Sequence, residues 1–223
     1  MSSEPRLDPR ISQSLETYNE RTLQIYDKLV LGLFCPLVWR CPASAMRRLY
    51  DRSVGSRHLD VGPGTGYFVD KCRWRVKDPQ VTLLDLSPEC LRVSARRLAR
   101  FRPPTCHANL LDPLPLPPDH FDSVGLNLVF HTIPGGWDAK GVVFDHIAKV
   151  VRPGGRVFGS TILAEGVPMN WLTHKALLAQ QERGNFQNQG DDPDGLRRQL
   201  NRCFPNHTLV IRGTTALFRA VVD

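Results

Sequence analysis

The chain has 223 residues with 29 Lys+Arg against 22 Asp+Glu, a formal net charge of +7, and is 41% apolar and 23% charged. That length fits one domain and that composition an ordinary folded protein, which excludes disorder as the main state. The longest apolar run, Leu29 to Trp39, is broken by Gly32 and Pro36 and falls short of the about 20 residues a membrane-spanning helix needs.

The first residues, MSSEPRLDPR, mix acids and bases and hold no apolar core of a signal peptide, so a cytoplasmic protein is expected. From Leu15 to Trp39 apolar and aromatic residues recur at steps of three and four, which predicts an amphipathic helix ended by Pro36. A second helix is expected from about Pro42 to Asp51. Residues 1–55 then read as a helical cap and 56–223 as the main body of a single-domain protein.

From there strands and helices alternate. His58–Val61 predicts a strand that runs into the glycine-rich GPGTG, followed by a helix from Tyr67 to Arg75. Val81–Leu86 predicts a second strand. Ser87-Pro88-Glu89 opens the next helix with an N-cap, a proline in the first turn and an acid there, and that helix should reach about Arg100. A short strand near Thr105–Ala108 and a proline-rich loop lead to Phe121–Phe130, apolar enough for a central strand. A helix over Asp138–Val151, a turn at Arg152–Gly155 and a strand over Arg156–Leu163 follow. This alternation implies a parallel sheet with helices on both faces.

The end differs. After helices near Trp171–Arg183 and Pro193–Cys203, two strand-like stretches, His207–Arg212 and Thr214–Val222, are separated only by Gly213. A parallel crossover takes a dozen or more residues, so these two must form an antiparallel hairpin.

The strongest local signal is the strand-turn-helix passage HLDVGPGTGYF. Glycines there let the backbone approach a ligand closely, and the turn aims N–H groups at it. The dinucleotide fingerprint G-x-G-x-x-G fails, because Tyr67 stands where its third glycine would be, and no G-K-[ST] follows for a P-loop. Asp85, at the carboxyl end of the second strand about 20 residues on, is placed to accept hydrogen bonds from two ribose hydroxyls. The ligand therefore contains a ribose and need not contain phosphate. The six cysteines form no C-x-x-C pair and no zinc-spaced cluster, so free thiols and no metal are expected.

Over roughly residues 20–223 the chain resembles the class I S-adenosylmethionine-dependent methyltransferases. The resemblance rests on LDVGPGTG, VTLLDLSP, FDSVGLNLVFH and VVRPGGRVFGST. It implies a doubly wound α/β fold: a mostly parallel seven-stranded sheet with a C-terminal antiparallel hairpin, under an N-terminal helical cover. It also implies S-adenosylmethionine as cofactor, with Asp60, Gly62, Gly64 and Gly66 around the methionine moiety, Asp85 on the ribose and Leu86 beside the adenine. Where the family's third motif has an acid and a small residue, this chain has Asn109 and Leu110, with Asp112 beyond, so the adenine contact stays open among these. Asn127 and Leu128 match positions near the methionine end.

The sulfonium methyl is already electrophilic, so the protein must chiefly hold a nucleophile in line and exclude water. His131, just after the strand that lines the site, is the candidate base. Tyr18, Tyr26, Asn170 and Trp171 are the candidate acceptor contacts. The acceptor is expected to be a small organic molecule, methylated on O, N or C, as in secondary metabolism or a quinone-like pathway. The proline-aromatic element of amino-methylating nucleic-acid enzymes is replaced by Asn127-Leu128-Val129-Phe130, and no RNA-binding motif is appended, which disfavours RNA or protein acceptors. A noncatalytic cofactor-binding regulator of the same fold is the alternative of a different class. Arg92, Arg96 and Arg100 share one helix face at i, i+4 spacing, and the remaining arginines scatter, so the positive charge reads as solvated surface.

Overall fold

The computed structural model describes residues 27–223. Helices α1 (Asp27–Phe34), α2 (Cys35–Leu37) and α3 (Ala43–Ser53) precede the sheet. α1 is a wide π-type turn: the N–H groups of Val38 and Trp39 both return to the Phe34 carbonyl, and Pro36 sits in the first turn of α2 without ending the helical path. Leu31 and Cys35 point inward, while Leu29, Leu33 and Leu37 stay exposed.

The strands are β1 (Arg57–Val61), β2 (Gln80–Asp85), β3 (Thr105–His107), β4 (Phe121–Asn127), β5 (Val151–Ile162), β6 (His207–Arg212) and β7 (Thr215–Val221). They form one seven-stranded sheet in the order β3-β2-β1-β4-β5-β7-β6. β1 pairs in parallel with both β2 and β4, and β7 runs antiparallel to β5 and β6, so the expected terminal hairpin is present. Between the strands lie α4 (Tyr67–Lys71), α5 (Pro88–Arg97), α6 (Trp137–Lys140), α7 (Val142–Val150), α8 (Trp171–Glu182) and α9 (Pro193–Cys203). Because the chain winds one way from β1 to β3 and the other way from β4 onward, a crevice opens at the carboxyl ends of β1 and β4.

The strand period of two sorts each side chain to a face. Leu59 and Val61 of β1 join Val124, Leu126, Phe130, Phe144 and Phe218 in the larger core. His58 and Asp60 turn to the opposite face, where α3 brings Tyr50. There β4 presents Ser123 and Gly125, and a Cβ on Gly125 would stand 3.1 Å from Asp60 Oδ1 and 3.2 Å from Tyr50 Oη.

Some elements are shorter than their patterns predict. The helix after the glycine loop stops at Lys71, because Cys72 is extended. The expected helix over Asp138–Val151 begins at Trp137 and divides at Gly141, where a Cβ would come within 2.3 Å of Gln199 Oε1 on α9. β4 ends at Asn127, and Leu128 takes a left-handed φ of 59° before a tight turn at Phe130–Thr132. Among the described residues no helix is long and apolar enough to cross a membrane.

Candidate functional site

The glycine loop is shaped by contact as well as by turning. Gly62 has φ of 62°, and a Cβ there would meet Val129 Cγ2 at 2.7 Å, so the loop can lie against the turn after β4 only without a side chain. Gly66, with φ of 75°, caps the start of α4, and a Cβ there would crowd Ser94 of α5 and Leu98 just past its end at 3.2–3.3 Å. Loop and β4 turn together wall a cleft that Asp60, Gly62, Gly64, Asp85, Leu86, Asn109, Leu110 and Asn127 all line. Gly66 holds the loop from behind.

At the end of β2, Asp85 Oδ1 accepts the Ser87 N–H at 2.8 Å. Burial pushes its carboxyl up to about 6, against the pull of the Ser87 and Leu86 N–H groups. Asn109 lines the cleft but folds its own Oδ1 back to accept the Leu111 N–H at 3.1 Å, and Asp112 lies exposed outside the lining. Asn127 Oδ1 accepts the Ser160 hydroxyl at 2.6 Å, while its Nδ2 is buried without a partner among the described residues. A buried amide donor left open beside a cleft is a group waiting for a ligand oxygen.

Two connections behind the loop carry no sequence motif. Tyr50 Oη donates to Asp60 Oδ1 at 2.7 Å. Thr65 Oγ1 donates to Asp27 Oδ1 at 2.6 Å, and Arg97 Nη1 donates to Asp27 Oδ2 at 2.5 Å. Arg97 also reaches Asp70 at 3.3 Å and lies 5.4 Å from the centre of the Tyr67 ring. The arginine-rich helix is thus more than solvated surface: Arg97 and Arg100 turn back onto Asp70, because α5 packs beside the glycine loop. Four residues past Asp27, Leu31 reaches the cleft wall.

His131 sits in the turn after β4, next to Thr132, but is not part of the cleft lining among the described residues. Its ring packs edge-on against Phe186 at 4.5 Å, and its Nδ1 lies 3.5 Å from the Ile162 N–H. Burial, and then the Lys140 ammonium, push the imidazole down to about 3, which keeps it neutral at physiological pH. Asn170 caps α8, accepting the Thr173 N–H at 2.8 Å, and Trp171 stands 77% exposed; neither lines the cleft. Tyr18 and Tyr26 fall outside the described residues. Leu31 and Tyr50 line the cleft but belong to no motif, and Arg97 braces the loop from behind through Asp27.

The geometry fits a nucleoside carrying a charged, amino-acid-like end. Asp85 would meet the ribose, the apolar Leu86 and Leu110 would flank a base, and the glycine loop with Asp60 and Asn127 would hold the polar end. Comparison with known proteins agrees. Residues 59–159 match the family model described as "Methyltransferase domain". Demethylluteothin O-methyltransferase of Streptomyces thioluteus is 40% identical over 214 residues, covering 96% of this chain and 93% of that protein. The physcion biosynthesis cluster O-methyltransferase of Aspergillus chevalieri is 31% identical, covering 97% and 98%. Among solved structures, the geranyl diphosphate C-methyltransferase of Streptomyces coelicolor superposes with a TM-score of 0.71 at 14% identity, covering 99% of this chain and 100% of that one, a likeness of fold alone.

The chain belongs to the class I S-adenosylmethionine-dependent methyltransferases. It is an enzyme that uses S-adenosylmethionine to methylate a small organic acceptor.

Proposed function

We propose that the acceptor atom is oxygen, and that the acceptor is an acidic hydroxyl, a phenol or an enol, on a small and largely apolar molecule. The observation that carries this reading is the 40% identity to demethylluteothin O-methyltransferase along nearly the whole of both chains. The chemistry of the cleft supports it. S-adenosylmethionine supplies the electrophilic methyl group, and what remains for the protein is to orient a nucleophile and keep water away. Among the described lining residues, Asp60 is already engaged by Tyr50, and the Cys90 thiol is pushed up to about 12 by burial. His131, pushed down to about 3, is a weak base for an aliphatic alcohol. A hydroxyl that ionises readily needs no strong base. Leu31, Leu128, Ile133 and Pro134 give the acceptor an apolar wall.

In the same reading, Asp60, Gly62, Gly64 and Asn127 hold the methionine end, Gly66 fixes the loop, Asp85 holds the ribose, and Leu86, Asn109 and Leu110 border the adenine. The described part of the expected cap, residues 27–55, covers the domain of 56–223, a reading supported by the helices ahead of β1 and by Leu31 in the cleft wall. Six unpaired thiols suit a reducing compartment such as the cytoplasm.

The test is turnover with ¹³C-methyl-labelled S-adenosylmethionine on a panel of phenols, enols, aliphatic alcohols, amines and activated carbon acids. The expected product carries the label as a methoxy group on a phenol or enol. Label found only on nitrogen or carbon overturns the reading. Cofactor binding with no turnover on any acceptor favours a regulatory subunit instead.

A further inference from the structure

We propose that Tyr50 is a positioning residue that orients the Asp60 carboxylate toward the amino-acid end of the cofactor. The inference rests on the reading above that Asp60 meets that end, and deepens it by naming what sets the carboxylate's angle.

The two oxygens of Asp60 have different surroundings. Oδ1 points away from the loop and accepts the Tyr50 hydroxyl at 2.7 Å, a bond between two side chains that are both almost wholly buried. Behind the same oxygen, His58 Nε2 stands 3.7 Å away, buried and without a hydrogen-bond partner among the described residues. Among the described residues Oδ2 receives no donor, and Asp60 lines the cleft, so Oδ2 is the oxygen left for a ligand. A carboxylate with one oxygen fixed cannot rotate about its last bond, and the ligand-facing oxygen is then held at one angle.

The surroundings of Tyr50 hold it for this task. Its ring stacks on Phe68 at 5.4 Å and meets Phe158 edge-on at 4.9 Å, so the hydroxyl has one direction to point. Burial and then the neighbouring Asp60 push the phenol's pKa up, so Tyr50 stays the donor. The path from α3 to β1 crosses β4 at Gly125, where a Cβ would stand 3.2 Å from Tyr50 Oη and 3.1 Å from Asp60 Oδ1. Three elements therefore share one arrangement: a tyrosine on α3, an acid on β1 and a gap on β4.

A merely structural tyrosine would affect every ligand alike. A residue that sets Asp60 should affect only ligands that carry the amino-acid end. The test compares binding of S-adenosylhomocysteine with that of 5′-methylthioadenosine, which keeps adenine and ribose but lacks the amino acid, by calorimetry on the full chain. Tyr50→Phe preserves both ring contacts and removes only the hydroxyl. It is expected to weaken S-adenosylhomocysteine binding about tenfold, the scale of one hydrogen bond to a charged group, and to leave 5′-methylthioadenosine binding within about twofold. Gly125→Ala, which crowds the same contact from β4, should reproduce that selective loss. Equal weakening of both ligands in Tyr50→Phe overturns the inference, as does unchanged S-adenosylhomocysteine binding while Asp60→Ala loses it. If Asp60→Ala also binds S-adenosylhomocysteine like the wild type, the placement of the cofactor's amino-acid end falls, and the inference with it.

Discussion

The two sides of the β1–β4 crevice are built on different principles. On the β1–β3 side the groups that line the cleft come from short runs of chain, the loop from Asp60 to Thr65 and Asp85 with the N–H of Ser87 two residues later, and longer links such as Tyr50 to Asp60 and Thr65 to Asp27 brace them from behind. On the far side, beyond β4, the polar framework is knitted across long gaps. Lys140 on α6 is wholly buried and donates to both Asp191 oxygens at 2.7 Å and to the Gln187 carbonyl at 3.1 Å. The Gln187 N–H in turn donates to the His131 carbonyl at 2.7 Å, and Asn188 Nδ2 donates to the Ile162 carbonyl at 2.9 Å. In the reading proposed above, the first side would hold the cofactor with groups close together in sequence, and the second would back the acceptor wall through the tertiary structure. Relatives would then share cofactor recognition and differ in acceptor, because the two tasks would hang on separate parts of the chain.

The largest effect is expected where that separation is put under most strain. Lys140→Met leaves the Asp191 carboxylate buried beside an apolar side chain, and should cost about 3–5 kcal/mol in urea unfolding. Adding Asp191→Leu should recover most of it, since two apolar residues can replace a buried ion pair. S-adenosylhomocysteine affinity should move less than about twofold in the double variant; a tenfold loss would break the division between the two sides.

Asp85→Asn is the mirror experiment. It should weaken S-adenosylhomocysteine binding by about 1.5–3 kcal/mol, roughly 10- to 100-fold in Kd, with little loss of stability. Its pH dependence follows from the carboxyl lying near about 6. Ribose hydroxyls donate to the ionised form, so binding favours loss of the proton and affinity should fall as pH drops through that value. The wild type should show this decline in calorimetric titrations between pH 5 and pH 8, and Asp85→Asn should be flat.

On the far side, His131 makes a different pH prediction. Its imidazole is pushed from the ordinary value of 6.5 down to about 3 in the folded chain, by burial and then by the Lys140 ammonium. Between those values the unfolded chain binds the extra proton and the folded one does not, so stability is full above about 6.5 and falls as pH drops toward 3. Replacing His131 by Gln should flatten that part of the stability curve, measured by urea midpoints. If Asp85 holds the ribose as proposed, cofactor affinity should keep its own slope in the same variant.

This contrast also explains what could be read without coordinates. The parallel sheet and its terminal hairpin follow from local rules: strands alternate with helices that can serve as crossovers, and Gly213 leaves room only for a hairpin, as β6 and β7 show. Asp60, Gly62, Gly64 and Asp85 form a pattern because the loop and the strand ends must occur in that order. Tyr50 was hidden because nothing in a helix ten residues upstream marks its hydroxyl as bound for Asp60. Arg97 was hidden for a related reason. It lies among other arginines off the face shared by Arg92, Arg96 and Arg100, and only the packing of α5 beside the glycine loop turns it toward Asp27 and Asp70. The break at Gly141 depends on α9, some sixty residues away, and no periodicity within one helix can announce it. Asn170 and Trp171 follow the fifth strand and have the polar and aromatic character of a pocket lining, yet neither place in the chain nor composition distinguishes a helix cap or an exposed indole from a cleft wall.

The smallest expected effect concerns α1, which touches both the loop and the apolar wall of the cleft. Asp27 takes the Thr65 hydroxyl and the Arg97 guanidinium at the start of α1, and Leu31 one turn later enters the cleft wall. If the cover is fastened at this point, ligand escape must loosen it. Asp27→Asn keeps the shape and removes the charge. Both partners are about a quarter exposed, so solvent screens the pair and the change is worth only about 0.5–1 kcal/mol. That corresponds to roughly two- to fivefold faster release of S-adenosylhomocysteine in stopped-flow displacement, with the larger difference from wild type at low salt. Because the fastening lies on the glycine-loop side, the ranking of acceptors by kcat/KM should not change. A reordering of acceptors would mean that α1 belongs to the acceptor wall more than to the cofactor side, and that the boundary between the two halves runs through Asp27.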